Sequence, residues 1–277
     1  MDQLKFVGLR FFLVPVEDSL FTKPAAENEK LEWFRDAFLQ SRDFQTKRGT
    51  EFAVRVTKVE GSQHFGKISR KRIFERHQKT PSDIKDLREE DWPYLQFVCD
   101  VSPKVQLLVT EYKSGFGFTV GSLAEALAEL ANQRLFNHGY ASTYEPIVGK
   151  ETFWNIVEAS EGVYALSFHL ASPNLFGASS TANESLRQLQ KLYNNNRAAI
   201  SLYNDKGKLK VPKEQIESYR EYADKGGGDW KVTIQTKKRR KRSYKSADKA
   251  LKVTIEAEDG ESLEILKDAM RQFLEHL

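Results

Sequence analysis

Alternation between apolar and polar residues predicts a chain built mainly from strands. In "EFAVRVTKVEG", Phe52, Val54 and Val56 alternate with polar neighbours, as expected for a strand with one buried face. The segments "YLQFVCD" and "VQLLVTEY" flank "VSPK" and predict a hairpin. Further strands are predicted at Leu4–Val16, "VYALSFHL", "AAISLYND", "DWKVTIQT" and "LKVTIEAE".

Apolar residues spaced three and four positions apart predict helices between these strands. Ser122 and Glu125 have the spacing of a capping box, and Leu123, Leu127 and Leu130 form the apolar stripe of the helix that would follow. The same spacing predicts helices in "NEKLEWFRDAFLQ", "ETFWNIVEA", "NESLRQLQKLY", "KEQIESYREYA" and "ESLEILKDAMRQFLEH".

The order and spacing of these elements predict the fold class. Many links between strands are shorter than the dozen or so residues that a parallel crossover needs. We therefore predict an α+β fold, with a largely antiparallel sheet, flanking helices and a basic C-terminal β-hairpin. Residues 1–277 are expected to form a single α+β unit, and the alternative is two subdomains at about 1–148 and 149–277.

Composition excludes several classes of protein. A single cysteine, Cys99, excludes an intramolecular disulfide framework and a zinc site with several thiolates. The apolar N-terminal run lacks a basic leader and is too short to span a bilayer. We expect a cytoplasmic protein without a membrane partner.

Positive charge is concentrated near the C-terminus, although the net charge is only +4. Residues 231–252 carry ten Lys/Arg and one acid, hence +9, and residues 253–277 carry two Lys/Arg and seven acids, hence −5. Six consecutive cations, Lys237–Arg242, lie between two predicted strands, "DWKVTIQT" and "LKVTIEAE", and are expected at a flexible hairpin tip.

Such a tip can follow a phosphate backbone and release counterions on binding. Tyr244 and Trp230 could add a stacking surface for a single strand. An acidic protein, an anionic membrane, a localisation signal and a solvated loop are the alternative interpretations. A second basic segment, "FGKISRKRIFERHQK", reads as one strand, and taken alone its cations favour a solvated face. The predicted nucleic-acid-binding residues are Lys231, Lys237, Lys238, Arg239, Arg240, Lys241, Arg242, Tyr244 and Lys245, with Arg70, Lys71 and Arg72 from the second segment.

The search for an active site identifies no catalytic motif, no metal site and no cofactor site. None of the five histidines has the spacing of a metal site, and no P-loop, GxSxG or Rossmann glycine pattern occurs. Asp100, Glu111 and Lys113 have the spacing of the acidic signature of restriction-type nucleases, which use Mg²⁺. A hairpin turn at "VSPK" would put the two carboxylates about 17 Å apart, too far to share a metal.

Short blocks in the middle of the chain resemble the lambda RexA exclusion proteins and related bacterial proteins. The blocks are "SDIKDL" (82–87), "WPYLQFVCD" (92–100) with the strand that follows, "YEPI" (144–147) and "ASPNLFG" (171–177). The resemblance implies an α+β protein, similar in fold to RdgC-type DNA-binding proteins. It also implies a dimer that binds DNA without strong sequence preference in a bacterial or prophage anti-phage system. It transfers no catalytic and no DNA-contacting residue.

The sequence therefore predicts a non-enzymatic protein that binds nucleic acid, with DNA favoured over RNA, in anti-phage defence. A homodimer and a partner protein from a defence operon are the expected protein partners. The alternatives are a Mg²⁺-dependent nuclease effector and a sensor that binds an acidic phage protein.

Overall fold

A computed structural model of the chain describes residues 2–16, 27–79, 81–103, 105–171, 181–193, 195, 197–257 and 262–277. The fold is α+β with antiparallel strand pairing and flanking helices, as predicted. The strands are β1 Asp2–Pro15, β2 Arg42–Gln45, β3 Glu51–Glu60, β4 Gln63–Arg70, β5 Arg72–Lys79, β6 Ile84–Asp91, β7 Tyr94–Asp100, β8 Leu107–Glu111, β9 Tyr140–Pro146, β10 Gly162–Ala171, β11 Arg197–Tyr203, β12 Gly228–Gln235, β13 Lys241–Lys245 and β14 Lys252–Ala257. The helices are α1 Glu27–Phe38, α2 Val120–Leu135, α3 Thr152–Glu158, α4 Thr181–Tyr193, α5 Lys213–Tyr222 and α6 Ser262–Leu274.

The larger sheet has the strand order β14-β1-β8-β7-β4-β3-β2, with β9 also paired to β1. Alternate residues of β1 point to opposite faces of this sheet. Leu9 and Phe11 pack into a core with α1 and α2, whereas Phe6 packs into a second core with α6. Gly8 lies beneath α6, where a Cβ atom would stand 2.7 Å from the Phe273 ring. The close approach of α6 therefore requires a residue without a side chain at this position.

The smaller sheet has the strand order β11-β10-β12-β13. One of its faces packs Phe168, Trp230 and Val232 against α3 and α5 in a third core that contains Phe153. Since side chains alternate along each strand, the polar residues of the same strands lie on the opposite face.

A hydrogen-bonded hub lies beneath the smaller sheet, where α5 meets β12. The Arg220 guanidinium is 4% exposed, with Nη2 2.7 Å from Glu217 Oε1 and Nη1 2.9 Å from the Lys150 carbonyl oxygen. Nη1 also pairs with the Asp224 carboxylate, which accepts a hydrogen bond from Trp230 Nε1 at 2.8 Å. The buried charges are thus fully partnered, as buried charges must be.

Three predictions about the elements are wrong. Helix α2 begins at Val120, because the Thr119 hydroxyl accepts the Ser122 amide and acts as the cap in place of Ser122. The segment "FGKISRKRIFERHQK" is two strands that separate at Lys71, and β5 pairs with β6 in an exposed two-stranded ribbon. The strand at "LKVTIEAE" leaves the basic hairpin and pairs with β1 in the larger sheet.

No helix within the described residues is long and apolar enough to cross a membrane.

Candidate nucleic-acid interface

The basic run forms an ordered turn and the first part of a strand. The Thr236 backbone N–H donates a hydrogen bond to the Arg240 carbonyl oxygen at 2.9 Å. Thr236 Oγ1 donates to the same carbonyl oxygen and accepts a hydrogen bond from the Arg240 backbone N–H. Arg239 adopts the left-handed backbone conformation, with φ 55°. Residues 237–240, here called the basic turn, lie between β12 and β13 at a hairpin tip, as predicted, but Lys241 and Arg242 already belong to the returning strand.

The cations of the basic turn are exposed to solvent. All six residues Lys237–Arg242 are exposed, and none forms a salt bridge with a carboxylate of the described residues. The acidic helix α6 does not neutralise them, because it packs on the larger sheet. Its Glu264 and Asp268 pair with Lys267 and Arg271 of the same helix. The positive field of the turn therefore faces solvent.

The polar side of the smaller sheet continues this basic surface toward the root of the hairpin. Cross-strand register places Ser201, Ser167, Lys231 and Lys245 in one row, and Tyr203, Ala165, Thr233 and Ser243 in the row nearer the turn. We call this side the open face; its polar and aromatic members include Ser167, His169, Arg197, Ser201, Tyr203, Asp229, Lys231, Thr233, Gln235, Lys241, Ser243 and Lys245.

The two predicted stacking residues do not lie on the open face. Trp230 is fully buried in the third core, so the prediction that it could stack on a base is wrong. Tyr244 is directly opposite Val232 and faces the core side, with the Arg242 guanidinium 5.1 Å from its ring centroid. Tyr203, which the sequence analysis did not select, is 70% exposed on the open face. Only the strand register reveals it.

A neighbouring loop brings further lysines to the turn end of the sheet. The Lys241 ammonium lies 3.9 Å from the centroid of the Tyr164 ring, and the same ring packs on Gly207. Gly207 belongs to the loop that carries the exposed Lys206, Lys208 and Lys210. The sequence analysis missed these lysines because they lie about 30 residues away along the chain.

Arg70, Lys71 and Arg72 are engaged in local contacts, away from the basic turn. The Arg70 guanidinium lies 4.6 Å from the Phe118 ring centroid, and Arg72 donates to the Gly115 carbonyl oxygen. Lys71 pairs with Glu90 at 2.7 Å and with Glu51 at 3.5 Å. These contacts tie the ribbon to the larger sheet, and the three half-buried cations therefore have structural partners within the fold.

The nuclease-like residues are not brought together. Glu111 is opposite Gln96 at one end of the β7–β8 pair. Its carboxylate lies 2.9 Å from Lys113 Nζ and accepts a hydrogen bond from the backbone N–H of Gln96 at 3.4 Å. Asp100 is at the other end, four residues along β7 from Gln96, which corresponds to about 14 Å. Its carboxylate accepts the Ser102 amide at 2.8 Å. Within the described residues, no group of three or more His, Cys, Asp or Glu side chains could hold a metal ion.

Cys99 lies in the first core, away from the open face. Its thiol is buried, and burial raises its pKa well above the ordinary value. A protonated thiol is a poor nucleophile.

Comparison with known proteins finds no matching family model, no matching curated protein and no matching solved structure. The resemblance to RexA proteins therefore stays a prediction based on short sequence blocks. One block, "ASPNLFG", extends from residue 171 into residues outside the described ranges.

Proposed function

We propose that this protein binds nucleic acid, with DNA as the principal ligand, through the basic turn and the open face. The proposal depends on one observation: the exposed cations of the turn, with Lys231, Lys241 and Lys245 beside it, have no carboxylate partner among the described residues. Unpaired cations repel one another, and a polyphosphate backbone relieves that repulsion while it releases its counterions.

The geometry favours binding with low sequence specificity. Side chains of Lys and Arg that contact phosphates position a protein on nucleic acid without reading bases. The open face adds serine and threonine hydroxyls and one exposed ring, Tyr203, which suit a backbone and a stacked base of any sequence.

Binding by a charge-depleted variant tests the proposal. The variant carries Lys237→Ser, Lys238→Ser, Arg239→Asn and Arg240→Ser, since asparagine tolerates the left-handed conformation at position 239. The control removes four cations from the larger sheet and the ribbon, Lys47, Arg48, Lys79 and Lys85, which are exposed and form no salt bridge with a described carboxylate.

We expect the turn variant to lose at least tenfold in affinity for labelled single- and double-stranded DNA at about 50 mM salt, with the control variant close to wild type. Equal affinities of the two variants would overturn the proposal. Capture of an acidic protein that survives nuclease treatment, without any DNA binding, would favour the sensor alternative.

The anti-phage setting is a separate part of the proposal. Cells that express the wild-type protein are expected to restrict phage growth, and cells that express the turn variant at the same level are expected to lose that restriction. Equal plaque counts with and without the wild-type protein across a phage panel would remove this part while leaving the binding proposal intact.

A further inference from the structure

A cleft opens at the root of the basic hairpin, between the open face and the β9 edge of the larger sheet. Its volume is about 570 Å³. Sites for small organic ligands span roughly 300–1,000 Å³, so the cleft has room for one nucleotide. None of the predicted functions assigns it a role.

One wall of the cleft consists mainly of small apolar residues, with one exposed carboxylate, Glu125, among them. Helix α2 contributes Gly121, Ala124 and Ala128, and Pro146 and Ala247 extend the same surface. The spacing of three and seven residues puts the three α2 positions on one side of the helix. Residues without long side chains leave a slot beside the helix that a flat ring can fill.

The opposite wall carries cations whose arrangement points to an anion. Lys231 and Lys245 are directly opposite each other across β12 and β13, and both are exposed and line the cleft. Like charges directly opposite in a sheet are destabilising. Neither lysine forms a salt bridge with any carboxylate that the structure describes. A phosphate between them would cancel the repulsion.

The cleft is also lined by ionic groups that offer hydrogen-bond acceptors and a third cation. Arg197 Nη2 lies 3.3 Å from Glu145 Oε1, and His169 Nδ1 lies 3.0 Å from Asp229 Oδ1. The Glu145 side chain is largely buried, whereas Arg197 is half exposed and can reach a ligand. Carboxylates and cations that line one cleft match a molecule that carries both a phosphate and hydroxyl or amine donors.

We propose that the cleft is a binding site for a nucleoside phosphate. The phosphate would lie between Lys231 and Lys245, within reach of Arg197, and the base would lie against the α2 wall. The carboxylates of Glu145 and Asp229 would accept hydrogen bonds from the nucleoside. The site shares its lysine pair with the proposed nucleic-acid interface and in that respect rests on the proposed function. The ligand is either a free nucleotide or the phosphorylated end of a strand on the open face.

Titration with small ligands and end-labelled strands tests the site. The probes are AMP, adenosine, and one DNA oligonucleotide with either a 5′-phosphate or a 5′-hydroxyl. Two variants target the cleft alone: Gly121→Leu and Ala128→Leu both fill the slot beside α2, and at position 121 a Cβ would meet only Ala247, at 3.8 Å. Thermal unfolding confirms that both variants fold.

We expect AMP to bind at least tenfold more tightly than adenosine, because hydrogen bonds to charged groups are among the stronger ones. Each cleft variant should lose about tenfold in AMP affinity while its affinity for the 5′-hydroxyl strand stays within about twofold. A gain from the 5′-phosphate that both variants abolish would identify a strand end as the ligand, and AMP binding without that gain would identify a free nucleotide.

Absence of AMP binding together with equal affinity for the two strands would overturn this inference, and it would leave the proposed function untouched. The turn variant distinguishes the two proposals in the other direction. If this variant still binds AMP and its affinity for DNA strands is undiminished, the proposed function is wrong and the cleft assignment is unaffected.

Discussion

The hub beneath the smaller sheet makes a quantitative prediction about stability. Arg220→Ala would remove the cationic partner of Asp224, a residue that is only 3% exposed. The Asp224 carboxylate would keep the hydrogen bond that Trp230 Nε1 donates to it. The substitution would also leave the Lys150 carbonyl oxygen and the Glu217 carboxylate without the arginine. Breaking a buried ion pair by removing one partner costs about 3–5 kcal/mol, because the other charge stays buried.

A loss of that size is measurable by urea unfolding followed through tryptophan fluorescence. Trp230 and Trp154 are buried in this part of the molecule, and Trp154 Nε1 donates to Glu217 at 2.8 Å, so both report on the hub. At about 2–4 °C per kcal/mol for a chain of this size, the melting temperature should fall by roughly 10 °C.

A matched control and a double variant make the reasoning refutable. Arg271→Ala breaks an ion pair of a side chain that is 71% exposed, which should cost no more than about 1 kcal/mol. Arg220→Ala combined with Asp224→Ala should cost less than the sum of the single changes, since no charge is left orphaned. A loss below about 1 kcal/mol for Arg220→Ala, or strict additivity, would show that the buried pair does not stabilise the fold.

Three further predictions follow from other parts of the molecule. The four-residue turn variant should flatten the dependence of log K on log salt by about 3.6 for duplex DNA, at about 0.9 per lost phosphate contact; an unchanged slope between about 50 and 200 mM salt would mean that the turn does not touch phosphates. Burial raises the pKa of Glu145 from 4.5 to about 7, against the opposing effect of Arg197, with Asp229 and His169 also nearby. The folded state therefore holds this proton more tightly than the unfolded state, and the contribution of Glu145 to stability falls as pH rises from 4.5 through 7. The free energy of unfolding of Glu145→Gln should rise relative to that of wild type, by up to about 3 kcal/mol between about pH 5 and pH 8. A difference that stays constant across that range would contradict the assignment. Gly8→Ala should cost about 1–3 kcal/mol by overpacking against Phe273, whereas Gly115→Ala, with no atom within 4 Å, should cost far less; equal melting temperatures would refute the packing argument.

Local patterns were sufficient to predict most individual elements. The alternation in β3 and the stripe Leu123, Leu127 and Leu130 report directly which side of a strand or helix is buried, and all three leucines are buried. The strand before the basic run was predicted correctly for the same reason. Short links between strands were sufficient to predict antiparallel pairing and the α+β class.

Partners along the chain were harder to predict, because a pattern of buried faces does not say what covers them. Ser122 was the predicted N-cap of α2, but Thr119 is the N-cap in the structure. Both residues carry a hydroxyl that can cap a helix, and which of them does so depends on where the chain enters the helix. The strand at residues 252–257 has the same alternation whether it pairs with β12 or with β1, and the contacts of α6 with the larger sheet accompany the second arrangement. Trp230 was predicted from the sequence to offer a stacking surface, whereas in the fold it is fully buried in the third core.

The sequence by itself determined the class of fold, the buried faces and the concentration of cations near the C-terminus, since each of these depends on residues close together in the chain. Only the tertiary structure decided which side of the smaller sheet those cations share, that Lys206–Lys210 and Tyr203 join them, and that a cleft lies at their root. Those features arise where β9, β11 and β12 meet across about 30 to 90 residues of chain, and no local pattern encodes a contact over that distance.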